Sequence, residues 1–147
     1  MKKTYLRDRR SPAPLNETIS KVMSRNKQSG TKPEILVGKI INRLGYTGYR
    51  KNWKNVPGKP DFCFNKRRKA IFVHGCFWHH CPICMKRWPK NNRPYWKTKI
   101  TRNIERDKKI LKELKKLGWL TLTLWDCELR KKEKKCVSKL TKFLNHH

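Results

Sequence analysis

Apolar residues recur with a helical period in three stretches of the chain and alternate in a fourth. In the first, Leu36, Val37, Ile40, Ile41 and Leu44 share one helical face. Thr31-Lys32-Pro33-Glu34 precedes them as a capping box, and Gly45 supplies the stop. A second helix is predicted from about Lys97 to Leu117, ending at Gly118. Val137, Leu140, Phe143 and Leu144 mark a third. Between the second and third helices, residues 119–125 (WLTLTLW) alternate with the period of a strand. Two short runs, Asp61–Phe64 and Ala70–Val73, flank Asn65-Lys66-Arg67-Arg68 and read as a hairpin. The segment from His74 to Pro94 has no period and is read as a loop held by something other than regular structure. The order helix, hairpin, loop, helix, strand, helix predicts an α/β fold, a mixed sheet flanked by helices.

Residues 1–28 are polar, basic and weakly periodic, an N-terminal arm ahead of a single domain over 29–147. Charge alters the picture more than any element does. Lys and Arg number 39 against 10 Asp and Glu, a formal net charge of +29 over 147 residues. Such a charge opposes compaction, and a polyanionic partner, nucleic acid first, explains it better than solubility does. No run approaches the roughly 20 apolar residues of a membrane span, and no apolar run follows the basic N-terminus as in a secretory signal. The expectation is a cytoplasmic, nucleoid-associated monomer with reduced thiols, whose six cysteines serve metal binding or burial.

Three of those cysteines crowd one loop. Cys76 precedes the C-x-x-C pair Cys81 and Cys84, and Cys127 follows the alternating strand. Four thiolates so placed suit a structural Zn²⁺ that would hold a loop poor in aliphatics. His80 is the reserve ligand; Cys63 and Cys136 are read as structural. A hairpin brings Asp61 beside Val73 and His74, and the Asp61 carboxylate with the Val73 carbonyl offers the hard oxygen ligands Mg²⁺ prefers. Asp107 carries the sharpest signal. Ile100, Ile104, Leu111 and Leu114 form a stripe, and Asp107 falls on it at steps of four and three. A carboxylate there needs a partner, and a histidine of the adjacent loop is the natural one. Phe77, Trp78, Trp88, Tyr95 and Trp96 thread through basic residues, a composition that favours stacking on bases or wedging between them.

Four motifs occur in the order of one family: Pro57-Gly58-Lys59-Pro60-Asp61-Phe62, then residues 71–79 (IFVHGCFWH), Asn103-Ile104-Glu105-Arg106-Asp107, and Trp125-Asp126-Cys127-Glu128-Leu129-Arg130. The chain resembles the very short patch repair (Vsr) endonucleases over roughly residues 20–145. The resemblance implies a restriction-endonuclease-like core with a structural zinc site. It also implies a Mg²⁺-dependent nick 5′ of the T in a T:G mismatch in double-stranded DNA, and other mismatch-repair proteins as partners. By the same resemblance Asp61 holds the metal with the carbonyl of Val73. His74 and His79 are active-site histidines, His79 the general base, with Asp107 beside them. Glu34 is a glutamate near the site, besides being a capping-box partner. Phe77, Trp78 and Trp96 wedge into DNA, and Cys76, Cys81, Cys84 and Cys127 bind zinc.

Two departures matter. Some members use a histidine among the zinc ligands, where this chain offers Cys81 and His80. Phe72-Val73-His74 lacks the acid and lysine of the wider nuclease superfamily's second motif. Two rival readings share the same composition: a zinc-stabilised DNA-binding module without catalysis, and a nuclease of the same fold with a restriction or defence target. Asp61, His79 and Asp107 count against the first, since a passive binder needs none of them.

Overall fold

A computed structural model describes Glu17, Thr18 and residues 29–147. The basic arm expected over 1–28 therefore falls almost wholly outside the described residues. Helix α1 spans Lys32–Arg43. The Thr31 hydroxyl caps it by accepting the Glu34 N–H at 3.5 Å. The Glu34 carboxylate answers by accepting from the Gly30 N–H at 2.8 Å and from the Thr31 hydroxyl at 3.2 Å. Gly45, at φ +84°, follows the C-cap Leu44, the stop its position in the sequence suggests.

Four strands make one sheet in the order β1-β2-β3-β4: Arg50–Lys51, Phe62–Phe64, Lys69–His74 and Leu120–Trp125. β1 pairs antiparallel with β2, and β2 antiparallel with β3 through the 3₁₀ turn Asn65–Arg67. β3 and β4 run parallel, with Lys69 opposite Leu120 and His74 opposite Trp125. The crossover between them contains the single turn α2, Cys76–His79, and the 24-residue helix α3, Arg93–Lys116. After β4 come α4, Asp126–Lys131, and α5, Glu133–Asn145.

Strand alternation sends side chains to both faces, and both are covered. Phe62, Phe64, Ile71 and Leu124 pack under α1, α4 and α5 against Val37, Ile40, Ile41, Leu129, Leu140 and Leu144. Cys63, Ala70 and Phe72 face the other way, against Leu114, Ile110 and Leu111 of α3, with Val56 and Trp53. Burial on both faces explains why β3 reads as a continuous apolar run rather than an alternating one. Its first residue, Lys69, is only 3 % exposed. Its ammonium donates to the Phe143 carbonyl at 2.7 Å, to Leu144 at 2.9 Å and to His146, capping the last turn of α5.

The chain differs from its sequence reading in four places. α3 begins at Arg93 rather than near Lys97, because Pro94 suits a first helical turn. α2 gives one turn to a segment read as pure loop. The two-residue edge strand β1 and the short helix α4 carry no periodic signal of their own. Gly58 joins the two sides of the molecule: at φ +78°, a Cβ built there would lie 2.4 Å from Ile110 Cγ2. The Pro57-Gly58 turn therefore rests directly on α3, which sets Asp61 close to the helix carrying Asp107.

Candidate active site

The ends of three strands meet at one cleft. The hairpin register pairs Phe62 with Ile71, so Asp61, one residue earlier, lies beside the end of β3. There Asp61 Oδ2 accepts the Val73 N–H at 2.7 Å. Burial pushes the Asp61 carboxyl up from 3.8 to about 6; the Glu34 charge adds to that, while the Val73 N–H and His79 work against it. No ion pair to Asp61 exists among the described residues. A desolvated carboxylate without a cation is the donor chemistry a hard divalent ion satisfies.

Asp107 has the partner its helical position called for. His79 Nδ1 lies 2.5 Å from Asp107 Oδ2, both half-buried. Against a carboxylate, Nδ1 is the donor, which leaves the His79 Nε2 lone pair free for a proton. His74 stacks on His79, ring centroids 3.9 Å apart and planes within 3°. Trp125 meets His74 edge-on at 5.3 Å. Burial and the neighbouring His79 lower His74 to about 4, so it stays uncharged at neutral pH. Ligand atoms of His74, His79 and Asp107 lie within 4.8 Å of one another. A single ion nevertheless fits them poorly, because imidazole lone pairs lie in the ring plane and stacked rings aim theirs in parallel. A stacked imidazole pair with one ring on a carboxylate has the chemistry to take up and pass on a proton.

Two adjoining hollows, ≈ 670 Å³ around Asp61, His74 and Asp107 and ≈ 960 Å³ around Trp78 and Gly75, share Glu34, Val73, His79 and Arg106. Arg106, Asn103 and Asp126 were not singled out from the sequence. Arg106 Nη2 lies 3.9 Å from Asp107 Oδ1, and Asn103 Nδ2 donates to the Trp78 carbonyl at 2.9 Å. Asn103 was findable, since it precedes Asp107 by one helical turn on the same stripe. Glu34 serves both readings at once, as capping partner and as a wall of the cleft.

Cys76, Cys81, Cys84 and Cys127 bring their sulfurs within 4.8 Å of one another, with Cys81 and Cys127 3.7 Å apart. Tetrahedral thiolates at about 2.3 Å from zinc stand about 3.8 Å apart, so the donor set and its spacing fit that ion. The Cys127 N–H points at Cys76 Sγ (3.3 Å) and the Ile83 N–H at Cys81 Sγ (3.4 Å). Burial opposes ionisation of Cys76, Cys81 and Cys127; at Cys81 the N–H groups of Cys84 and Ile83, together with the Cys127 and Cys84 thiols, outweigh it and lower the thiol. His80 stands apart from the thiols. It stacks on Trp88, 4.2 Å between centroids, and its Nδ1 is buried without a partner among the described residues. Cys63 and Cys136 are fully buried in the two cores.

The three aromatics marked as a wedge form one cluster. Phe77 meets Trp78 and Trp96 edge-on, each at 5.2 Å, and Lys99 Nζ lies over both tryptophans. Trp96 is only 7 % exposed, so in this conformation it supports Phe77 and Trp78 from beneath.

Residues 15–85 match the family described as DNA mismatch endonuclease Vsr. The chain is 43 % identical over 122 residues to the type II nicking enzyme V.NaeI of Lentzea aerocolonigenes, covering 80 % of this chain and 72 % of that protein. It is 42 % identical over 111 residues to the type II nicking enzyme V.NmeAIP of Neisseria meningitidis (76 % and 79 % covered). With the DNA mismatch endonuclease Vsr of Escherichia coli K12 it shares 41 % over 90 residues (61 % and 58 % covered). A mixed sheet whose strand ends gather a lone carboxylate and a His–Asp pair, together with these likenesses, makes the chain a member of the Vsr family of endonucleases.

Proposed function

We propose that this enzyme nicks one strand of duplex DNA 5′ of the T in a T:G mismatch and so opens very short patch repair. The observation that carries the proposal is the His79–Asp107 pair at 2.5 Å, set beside the desolvated carboxylate of Asp61. Asp61, with the Val73 carbonyl, is the residue that would hold Mg²⁺. When bound, that ion neutralises charge building on the scissile phosphate.

His79 Nε2 takes a proton from the attacking water, and Asp107 steadies the imidazolium that results. Water attacks phosphorus in line, the bond to the 3′ oxygen of the preceding nucleotide breaks, and that oxygen takes a proton from solvent. The products are a 3′-hydroxyl and a 5′-phosphate. His74, held neutral, adds no charge beside the incoming phosphate. It also fixes the His79 ring from one face.

Phe77 and Trp78 enter the stack at the mismatch, where unstacking costs least. The loop that bears them is closed by Cys76 on one side and by Cys81 and Cys84 on the other, the set proposed to bind Zn²⁺. The chain's basic residues bind phosphates without reading sequence.

The test is incubation with a T:G duplex and its T:A control, with and without Mg²⁺. A Mg²⁺-dependent nick on the T strand of the T:G duplex is expected; equal cleavage of both duplexes would overturn the mismatch assignment. The relatives named type II nicking enzymes favour one further reading, a nicking enzyme serving a restriction system. A panel of flanking sequences around the same mismatch separates the two, since a restriction-linked enzyme should act in one sequence context only.

A further inference from the structure

A second groove meets the catalytic cleft at Leu111 and runs between the C-terminal half of α3 and the start of β4. It measures ≈ 850 Å³ and has an apolar floor that includes Trp119 and Leu120. Lys108, Lys109, Lys112 and Lys115 rim it. All four are exposed, and none has an acidic partner among the described residues. Lys108, Lys112 and Lys115 recur at steps of four and three, so they form one row on the helix. Like charges at that spacing destabilise a helix. The repulsion along the row works against α3, offset at Lys115 by the helix C-terminus it sits in, and an anion laid along the row relieves it.

Among the described residues β4 ends the sheet, paired with β3 alone. Lysines also guard such edges against stray strands, but a guard needs one or two charges and no groove beside it. The row begins one residue after Asp107 and leads away from it. Lys108 to Lys115 covers about 10 Å of helix, close to the three axial steps of about 3.4 Å that separate four successive phosphates on one DNA strand. The lysine stems can lie on Trp119 and Leu120 while their ammonium groups stay in water.

We propose that Lys108, Lys112 and Lys115 form a phosphate track that grips one flank of the duplex beyond the cleft, making the enzyme's footprint asymmetric about the nick. This rests on the reading of the chain as an endonuclease acting on duplex DNA, and it is independent of which mismatch is cut.

The test compares two triple variants of the zinc-loaded enzyme in binding to matched duplex without Mg²⁺. One is K108Q/K112Q/K115Q. The other, K131Q/K132Q/K134Q, removes the same charge from exposed lysines around a separate hollow at α4 and α5. Each phosphate contact contributes about 0.9 to the slope of log affinity against log salt. The track variant should therefore lose roughly 2 to 3 from that slope and bind about tenfold or more weakly near 0.1 M salt. The control should lose less than about 1. On a T:G duplex, where the mismatch fixes the register, shortening one flank should abolish the difference between parent and track variant, and shortening the other should preserve it. Equal slope losses in both triple variants would overturn the track, leaving only diffuse charge. An unchanged slope in the track variant would also overturn it and turn the groove toward an acidic protein segment. An enzyme that fails to prefer T:G while meeting these expectations refutes the mismatch reading and leaves the track standing.

Discussion

Asp61→Asn should make the metal-free fold more stable. The substitution keeps the shape of the side chain, and a carboxamide oxygen can still accept the Val73 N–H now bound at 2.7 Å. What it removes is a charge held largely out of water and next to Glu34. The Asp61 carboxyl is raised from 3.8 to about 6, and each pH unit of such a shift is worth about 1.4 kcal/mol. The native state therefore binds this proton more tightly than the unfolded chain does. Its cost is absent below about pH 3.8, grows as pH rises, and is complete above about pH 6. At pH 8 the parent carries a penalty of about 3 kcal/mol that the variant lacks. At roughly 2–4 °C per kcal/mol, that is roughly 6–12 °C in Tm. Thermal melts by circular dichroism at pH 8 and pH 5 read the effect directly, and at pH 5 the gap should shrink by about half. Added Mg²⁺ should raise the parent and leave the variant unmoved, and the variant should not nick. An Asp61→Asn protein no more stable than the parent at pH 8, or a gap unchanged at pH 5, would show that the Asp61 charge does not burden the fold.

Other perturbations address the remaining parts of the site. His79→Ala should lower nicking by about 10²- to 10⁴-fold; Asp107→Asn should lower it as well, and gel-shift affinity for matched duplex should stay near that of the parent in both. Cys127→Ser should lose the single zinc per chain expected by elemental analysis and melt well below the parent, because loop and strand are no longer clipped together. Trp78→Ala should cut the preference for T:G over T:A in single-turnover nicking far more than it weakens binding to ordinary duplex at low salt; an undiminished preference would reduce the aromatics to packing. Gly58→Ala, forced to φ +78° with its Cβ 2.4 Å from Ile110 Cγ2, should cost about 1–3 kcal/mol and lower nicking by shifting Asp61, measured as a fall in Tm alongside the rate.

What the sequence disclosed here follows from period and spacing. Asp107 sits on an apolar stripe, so its need for a partner was visible before the partner was, and His79 meets it. The C-x-x-C pair and the isolated Cys127 announced one cluster, because thiols close in space are the commonest reason for that arrangement in a reduced chain. Thr31 and Glu34 marked the start of α1 through the chemistry of a helix end. The parts that stayed hidden have no periodic cause. β1 is two exposed basic residues recruited by the edge of β2, and α4 is too short to show a face. The stacking of His74 on His79 depends on the single turn between them, which no pattern announced. The near-complete burial of Trp96 beside Phe77 and Trp78 also stayed hidden, because a ring's exposure is set by packing that no local pattern reports.

Lys69 gives the catalytic strand a second moor. β3 begins with an ammonium locked onto the closing carbonyls of α5 and is held near its other end by Val73 bound to Asp61, roughly 13 Å further on. A strand tethered at both ends cannot slip by one residue, and a one-residue slip would turn His74 away from His79 and bring Val73 into its place. Phe143, Leu144 and His146 thus take part in aligning the candidate site, although they lie at the opposite end of the sheet. Shortening the chain into α5 would leave a buried cation without acceptors, and the disturbance would be delivered along the strand to the histidines.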